Sequence, residues 1–170
     1  MKTENLAKYF FKILLAIMLV IIPAAFYGTA LSQSPPNIDV SGYISGDSVR
    51  RGRATQAVVV MDIPSGFHVN SNRPLEKFLI ATQLQIEAPK GVRIGPLVYP
   101  RALLRTLRFS KNKVSVYEGR ATMHFNVTVP ASFASDSTEL KARLRYQSCN
   151  DELCFPPQTR ELTIPIRVGK

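Results

Sequence analysis

The chain has 170 residues, with 22 Lys and Arg against 12 Asp and Glu, a formal net charge of +10 and two cysteines. With 45% hydrophobic residues it is long enough to bury a core without covalent help, because disulfides rescue mainly far shorter domains. The basic residues are scattered and lack zinc-finger spacing or an aromatic-rich ribonucleoprotein pattern. This argues against nucleic-acid binding and favours solvated surface charge over an anionic membrane face or an acidic partner.

The first 32 residues are typical of a signal peptide, with Lys2, Lys8 and Lys12 ahead of an apolar run at residues 13–27. That run is about 15 residues long, which is shorter than the roughly 20 that span a bilayer. Small residues at 28–32 suit signal peptidase, so we expect cleavage there; the alternative is an uncleaved N-terminal anchor. Either interpretation places the remainder outside the cytoplasm, in the periplasm or secreted.

Removal of residues 1–32 takes away three Lys and one Glu, which leaves 19 basic and 11 acidic residues and a net charge of +8. A mature length of about 138 residues corresponds to one domain. We expect this domain to span residues 38–170, after a Ser-, Gln- and Pro-rich linker at residues 33–37.

Beyond the linker, short stretches of alternating apolar and polar residues predict strands separated by turns. In chain order they are residues 54–63, 67–70, 82–88, 92–99, 103–109, 114–117, 121–129, 140–146 and 162–168. Pro165 lies on the outer face of the last stretch, which indicates an edge strand. Eight or nine short strands without a long helical period predict an antiparallel β-sandwich. A short amphipathic helix is the alternative at residues 101–108, where three Arg stand opposite three Leu.

The two cysteines, Cys149 and Cys154, lie between the last two predicted strands, at one rim of the sandwich, where functional groups often concentrate. A disulfide that closes a loop of about six residues stabilises the folded state by roughly 2 kcal/mol, against about 4.7 kcal/mol for a loop near 100 residues. The pair would therefore add little to the stability of the fold. The spacing alone leaves a redox role and a structural disulfide equally open. Metal binding is a third alternative, but two thiolates need two further ligands and only His68 and His124 are present.

Charged residues near the cysteines have modest expected roles. Asp151 and Glu152 should disfavour a second negative charge, so we expect thiols that are not unusually acidic; the alternative is a solvated turn. His68 is a candidate base near the thiols, although a packed or surface histidine is favoured. His124 is expected on the outer face of its strand.

Four motifs in the chain resemble those of a known family. They are Gly66-Phe-His-Val-Asn-Ser-Asn-Arg-Pro74, Tyr99-Pro100, Tyr117-Glu118-Gly119 and Tyr146-Gln147-x-Cys149-x4-Cys154-x-Pro156-Pro157. In this order, across roughly residues 40–168, they resemble the N-terminal periplasmic domain of the DsbD family of thiol:disulfide interchange proteins, also called the disulfide bond corrector domain.

The resemblance implies an immunoglobulin-like β-sandwich whose cysteine pair carries electrons, as an oxidoreductase-like interchange domain without a cofactor. Cys154 resembles the thiol that forms mixed disulfides with partners, and Cys149 resembles the resolving cysteine. Tyr117, with Glu118 beside it, takes the place of the cap that shields the pair. The residues expected to support the loop are Tyr146, Phe155, Pro156 and Pro157.

In that family a membrane domain reduces the pair through a thioredoxin-like domain, and the pair then reduces oxidised thioredoxin-fold proteins, including disulfide isomerases and cytochrome c maturation factors. This chain ends at Lys170 without those domains, so we expect a separate membrane thiol-reductant transporter as donor, and no stable homo-oligomer. It also has one residue fewer between its cysteines than the best-known members. The alternatives are a secreted β-sandwich protein-binding module with a structural loop disulfide, and an adaptor in cytochrome c maturation.

Overall fold

The computed structural model describes residues 34–169, so the predicted export segment at residues 1–32 lies outside the described residues. The described residues form twelve strands and no helix. The strands are β1 (Asp39–Ile44), β2 (Val49–Arg50), β3 (Ala54–Asp62), β4 (His68–Asn70), β5 (Gln83–Glu87), β6 (Arg93–Ile94), β7 (Leu103–Arg105), β8 (Val114–Tyr117), β9 (Arg120–Thr128), β10 (Ser137–Tyr146), β11 (Ser148–Cys149) and β12 (Gln158–Gly169). Residues 34–169 therefore contain no helix that is long and apolar enough to cross a membrane.

The strands form two large sheets and a third, smaller one. The first sheet has the order β1-β3-β9-β6 and the second has the order β2-β12-β10-β5. The third sheet, β11-β4-β8-β7, is built from short strands and contains Cys149. Strand pairs are antiparallel in all three sheets, except that β2 pairs with the end of β12 in parallel.

The hydrophobic core is formed by alternate residues of the two large sheets, because successive side chains of a strand point to opposite faces. Its largest fully buried side chains include Ile38, Met61, Met123, Phe125, Leu140, Leu144, Tyr146 and Ile164. Burial of one large apolar side chain contributes roughly 1.5–3 kcal/mol, so this core dominates the stability of the domain. The fold is an immunoglobulin-like antiparallel β-sandwich, which confirms the fold class predicted from the sequence.

The strands with the clearest alternation are where the sequence predicted them, since β10 and β12 cover the stretches at 140–146 and 162–168 and β9 covers all but the last residue of the stretch at 121–129. Pro165 pairs with Glu139 of β10, while β2 reaches only Val168 and Gly169 on the other side of β12. Pro165 therefore lies where the strand has one hydrogen-bonded neighbour, which confirms the expected edge position. His124 is on the outer face of β9, as predicted.

Three expectations are corrected by the structure. The stretch at 92–99 is a strand only at Arg93–Ile94, and Gly95-Pro96 separate it from an isolated bridge between Val98 and His124. The stretch at 103–109 is extended only at Leu103–Arg105, which pairs with β8, so the alternative of an amphipathic helix is wrong. Strands β1, β2 and β11 were not predicted, because two of them have two residues and β1 has a Ser-Gly pair in its centre.

The two large sheets come unusually close at Gly42, in the centre of β1. A Cβ atom added there would lie 2.8 Å from both Ile164 Cγ1 and Leu162 Cδ1 of β12. Glycine is therefore required here for space, because any side chain would have to displace packed residues of the opposite sheet.

We expect Gly42→Ala to destabilise the domain by roughly 1–3 kcal/mol, because the added methyl group overpacks the contact with β12. Ser41→Ala is the matched control, since Ser41 is exposed on the other face of β1 and its replacement should change stability by less than about 0.5 kcal/mol. Chemical denaturation of both variants measures the difference. Equal stabilities would contradict the close approach of the two sheets.

Candidate functional site

The cysteine pair lies at the third sheet, where β11 places Cys149. Ser148 pairs with Val69 of β4, and Cys149 pairs with His68. Cys149 forms a disulfide with Cys154 across a loop of four residues and is fully buried, with 0% of its surface exposed, whereas Cys154 is half-buried. The two sulfurs therefore differ in access, with Cys149 recessed against the sheet and Cys154 nearer to solvent.

Hydrogen bonds hold the loop between the cysteines in addition to the disulfide. Asn150 Oδ1 accepts hydrogen bonds from the N–H groups of Glu152 at 2.9 Å and Leu153 at 2.8 Å. The Asn150 N–H donates to the Leu153 carbonyl at 2.9 Å, and the Phe155 N–H donates to the Ser148 carbonyl at 2.9 Å. An Asn side chain that bonds to nearby backbone in this way is a common means of stabilising a tight turn.

Cys154 packs against a cluster of apolar side chains, which we call the covering cluster. The covering cluster consists of Leu79, Leu107, Val114, Val116 and the partly buried Phe109. Leu107 and Phe109 belong to the segment between β7 and β8, which we call the covering segment (residues 106–113). The Arg108 N–H donates a hydrogen bond of 2.9 Å to the Asp151 carbonyl, so this segment is joined to the cysteine loop through the backbone as well.

Tyr117, which the sequence predicted to shield the cysteines, lies in the core of the sandwich rather than in the covering cluster. Its hydroxyl donates to Asn72 Oδ1 at 2.7 Å and accepts from the Asn72 N–H at 3.1 Å. Burial raises the pKa of the Tyr117 hydroxyl, so it remains a neutral donor at ordinary pH. Tyr117 and Cys154 thus belong to different apolar clusters, Tyr117 to the core and Cys154 to the edge of the cluster that contains Leu107.

A chain of charged groups runs along the solvent side of the loop. The Arg105 guanidinium donates two hydrogen bonds to the Glu118 carboxylate, at 2.7 and 2.8 Å. His68 lies between two carboxylates, with its Nδ1 3.1 Å from Glu118 Oε1 and its Nε2 3.2 Å from Asp151 Oδ1. The network joins the end of β7, the end of β8, strand β4 and the cysteine loop.

The charges in this network have defined electrostatic consequences. The Arg105 guanidinium lowers the pKa of the Glu118 carboxyl group below its usual 4.5. The Glu118 carboxylate in turn raises the pKa of Arg105. Both ring nitrogens of His68 contact carboxylates, so it links two loops and has no ring nitrogen directed at a sulfur. The second carboxylate of the loop is also paired, since Glu152 Oε1 lies 3.5 Å from a guanidinium nitrogen of Arg108.

The residues expected to support the loop lie in different surroundings. Tyr146 is fully buried, and its hydroxyl donates to Gln158 Oε1 at 3.0 Å. The Phe155 ring lies 6.1 Å from the ring of Phe67, and its carbonyl accepts a hydrogen bond from Gln147 Nε2 at 3.1 Å. Pro156 and Pro157 are exposed and follow directly, where they stiffen the chain before β12.

Sequence reasoning missed the covering residues and the polar residues behind Cys149. Leu107 and Phe109 lie in the stretch predicted as a strand at 103–109, but nothing in the sequence pattern assigned them or Leu79 to a site. Asn70 and Gln147 were present in the family motifs but had no assigned role. Among residues 34–169, no group of three or more His, Cys, Asp or Glu side chains is placed to hold a metal ion.

This arrangement can perform thiol exchange. A half-buried sulfur lies next to a recessed one, and attack in thiol exchange requires access as well as a thiolate. The apolar cover and the hydrogen-bonded loop fix the geometry of the pair.

Comparison with known proteins identifies the family of the chain. Residues 43–165 match the family described as thiol:disulfide interchange protein DsbD, N-terminal. The chain therefore belongs to the family of DsbD N-terminal domains. No curated protein sequence matches it.

Two solved structures are among those similar to this chain. The reduced N-terminal domain of DsbD from Neisseria meningitidis is 18% identical, with a TM-score of 0.43 over 65% of this chain and 77% of that one. The N-terminal periplasmic domain of ScsB from Proteus mirabilis is 10% identical, with a TM-score of 0.48 over 76% of this chain and 45% of that one.

We expect Glu118→Gln to lower the melting temperature at pH 7 by a few degrees, because it removes the carboxylate that Arg105 and His68 share. The folded pKa of Glu118 is lowered, so its stabilisation is present above the unfolded value near pH 4.5 and is lost as the pH falls through the folded value. The difference between the variant and the original protein should therefore shrink at pH 3. Thermal melts at both pH values measure it.

Glu161→Gln is the control for that comparison, because Glu161 forms an exposed ion pair with Arg143 at 3.5 Å. Exposed pairs of this kind contribute little, so its melting temperature should hardly change at either pH. A Glu118→Gln effect no larger than this control would show that the network does not stabilise the site.

Proposed function

We propose that this chain is an extracytoplasmic thiol:disulfide interchange domain, an electron carrier that passes reducing equivalents through Cys149 and Cys154. The observation that supports this most strongly is the unequal access of the two sulfurs in a loop that hydrogen bonds already hold in shape. Membership of the DsbD N-terminal family supports the same chemistry. The electron donor is a membrane thiol-reductant system, and the acceptors are oxidised thioredoxin-fold proteins.

The exchange begins with both cysteines reduced. The Cys154 thiolate attacks one sulfur of the acceptor's disulfide, so that a mixed disulfide forms and the acceptor's second sulfur leaves as a thiolate. Cys149 then loses its proton and attacks the Cys154 sulfur. The internal disulfide forms again, and the acceptor leaves with both sulfurs reduced, having gained two electrons. The donor system reduces the internal disulfide and starts the next cycle.

A location outside the cytoplasm fits this chemistry. The pattern of residues 1–32 predicts export, and thiol carriers of this kind act where disulfides persist. Cytochrome c maturation factors are one class of thioredoxin-fold acceptor that such a carrier serves. Supply of reductant to them places the chain in cytochrome c biogenesis without requiring it to be a passive adaptor.

The rival function is a secreted binding module in which the disulfide only clips the loop. A ring this short contributes roughly 2 kcal/mol, and the bonds from Asn150 and Phe155 already hold the turn. A purely structural disulfide would therefore add little stability to the loop. The trapping experiment described next separates the two functions directly.

We expect Cys149→Ser to trap a stable mixed disulfide through Cys154, because the resolving sulfur is absent and the accessible one remains. The acceptor is a thioredoxin-fold disulfide isomerase whose single remaining cysteine carries an aromatic thiol as a leaving group. The Cys154 thiolate displaces that thiol, and a non-reducing gel measures the covalent complex.

Cys154→Ser is the matched control and should trap about tenfold less, since its remaining sulfur is buried. Reversed yields would contradict the roles assigned to the two sulfurs. Equal absence of complex in both variants would favour the binding module over the carrier.

The covering segment should limit access to Cys154. We expect Leu107→Ala to increase the rate at which the reduced protein reacts with a small disulfide reagent, because it opens the apolar cover. Leu104→Ala is the control, since Leu104 is 55% exposed and lies outside the cluster. Stopped-flow kinetics on both variants measures the rates. An unchanged rate in Leu107→Ala would show that this cover does not gate the thiol.

A further inference from the structure

Behind Cys149 lies a pair of side-chain amides with an orientation that the backbone determines. Gln147 Oε1 accepts a hydrogen bond of 2.9 Å from the Ile80 N–H, and Gln147 Nε2 donates one of 3.1 Å to the Phe155 carbonyl. A backbone N–H can only donate and a backbone carbonyl can only accept. The Gln147 amide is therefore held in one orientation and cannot be flipped.

That orientation determines the next amide. Asn70 is fully buried, and its Nδ2 donates to Gln147 Oε1 at 2.9 Å. Because Gln147 presents an acceptor, the group of Asn70 that faces it must be the NH₂. The carbonyl oxygen of Asn70 is thereby directed at Cys149, with Oδ1 3.9 Å from its sulfur. The main chain of Asn70 is fixed as well, since its N–H donates to the Gln147 carbonyl at 3.1 Å.

We propose that Asn70 holds the reduced Cys149 as a neutral thiol, so that Cys154 alone ionises and attacks the partner. This rests on the proposed function and adds a residue that sets the order of the two thiols. The reduced Cys149 S–H donates to Asn70 Oδ1. A thiolate at the same place would face the lone pairs of that oxygen in a buried site, which disfavours the charged form.

The consequence is that two neighbouring sulfurs have different protonation states in the reduced protein, with Cys154 as the thiolate and Cys149 as the thiol. Only one of them needs to be a thiolate at the start of exchange, and a second negative charge beside it would oppose ionisation of both. Asn70 makes the recessed sulfur the one that keeps its proton. Cys149 gives up that proton only when it attacks the mixed disulfide at Cys154.

Other charged groups near the loop act equally on all variants of Asn70. They come from β4, from the end of β7, from the covering segment, from the end of β8 and from the loop itself, and they are His68, Arg105, Arg108, Glu118, Asp151 and Glu152. None of them is altered in the comparison that follows, so a difference between variants reports on the Asn70 carbonyl.

The test is a titration of Cys149 as the single thiol, in Cys154→Ser protein, by the ultraviolet absorbance of the thiolate. This signal reports ionisation directly and does not depend on reagent access. Asn70→Ala should lower the midpoint by about half to one pH unit, because the carbonyl that favours the thiol is gone. Asn70→Asp should raise the midpoint, because a carboxylate then faces the sulfur.

Asn72→Ala is the matched control, since Asn72 bonds to Tyr117 and not to the sulfur, and its midpoint should be unchanged. General loosening of the site would shift Asn70→Ala and Asn70→Asp in the same direction, and that result would overturn the proposal. An Asn70→Ala midpoint equal to that of the parent would overturn it too. Circular dichroism melts verify folding, and Asn70→Ser, whose hydroxyl is shorter than the carboxamide, provides the same comparison if Asn70→Ala does not fold.

This titration uses no partner protein, whereas trapping through Cys154 in Cys149→Ser contains no Cys149. The two experiments therefore fail independently. An unmoved midpoint with normal trapping rejects the role of Asn70 and leaves the carrier function intact. Absence of trapping with a shifted midpoint supports the role of Asn70 and rejects the carrier function.

Discussion

The site depends on the two-residue pairing between β11 and β4. Because Ser148 pairs with Val69 and Cys149 with His68, the recessed sulfur is fixed against the third sheet. The loop must then turn outward at once, and it places Cys154 at the surface of the sheet, beneath the covering cluster. The same pairing puts Asn70 behind the buried sulfur, one residue beyond His68–Val69. The difference between the two cysteines thus follows from strand register.

The cover over Cys154 is held by several weak contacts of different kinds. Leu107 packs in the apolar cluster, the Arg108 N–H bonds to the Asp151 carbonyl, and the Arg108 side chain forms an exposed ion pair with Glu152 at 3.5 Å. Exposed ion pairs and single hydrogen bonds each contribute little net stability. A partner that replaces these contacts with its own can therefore displace the cover at small cost. This gives a physical reason why the proposed carrier would be protected alone and reactive when docked.

The sandwich was predictable because β9, β10 and β12 bury alternate side chains between two sheets, and period two is visible in the sequence. The family motif identified the cysteine loop for a similar reason, since its residues are close together in the chain. The covering cluster was not predictable, because Leu79 and Leu107 come from loops that only the tertiary fold brings together. Tyr117 was assigned to the cap from its motif, but the alternation of β8 turns it into the core.

The central claim is that Cys149 and Cys154 form an exchange centre on a sandwich that is stable without them. The most direct measurement is the reduction potential of the pair, from its equilibrium with glutathione buffers of known ratio. The account predicts a value in the range of thiol carriers, between about −270 and −180 mV, from which electrons can pass to oxidised thioredoxin-fold proteins. A value below about −300 mV would identify an inert structural bridge and would contradict the account.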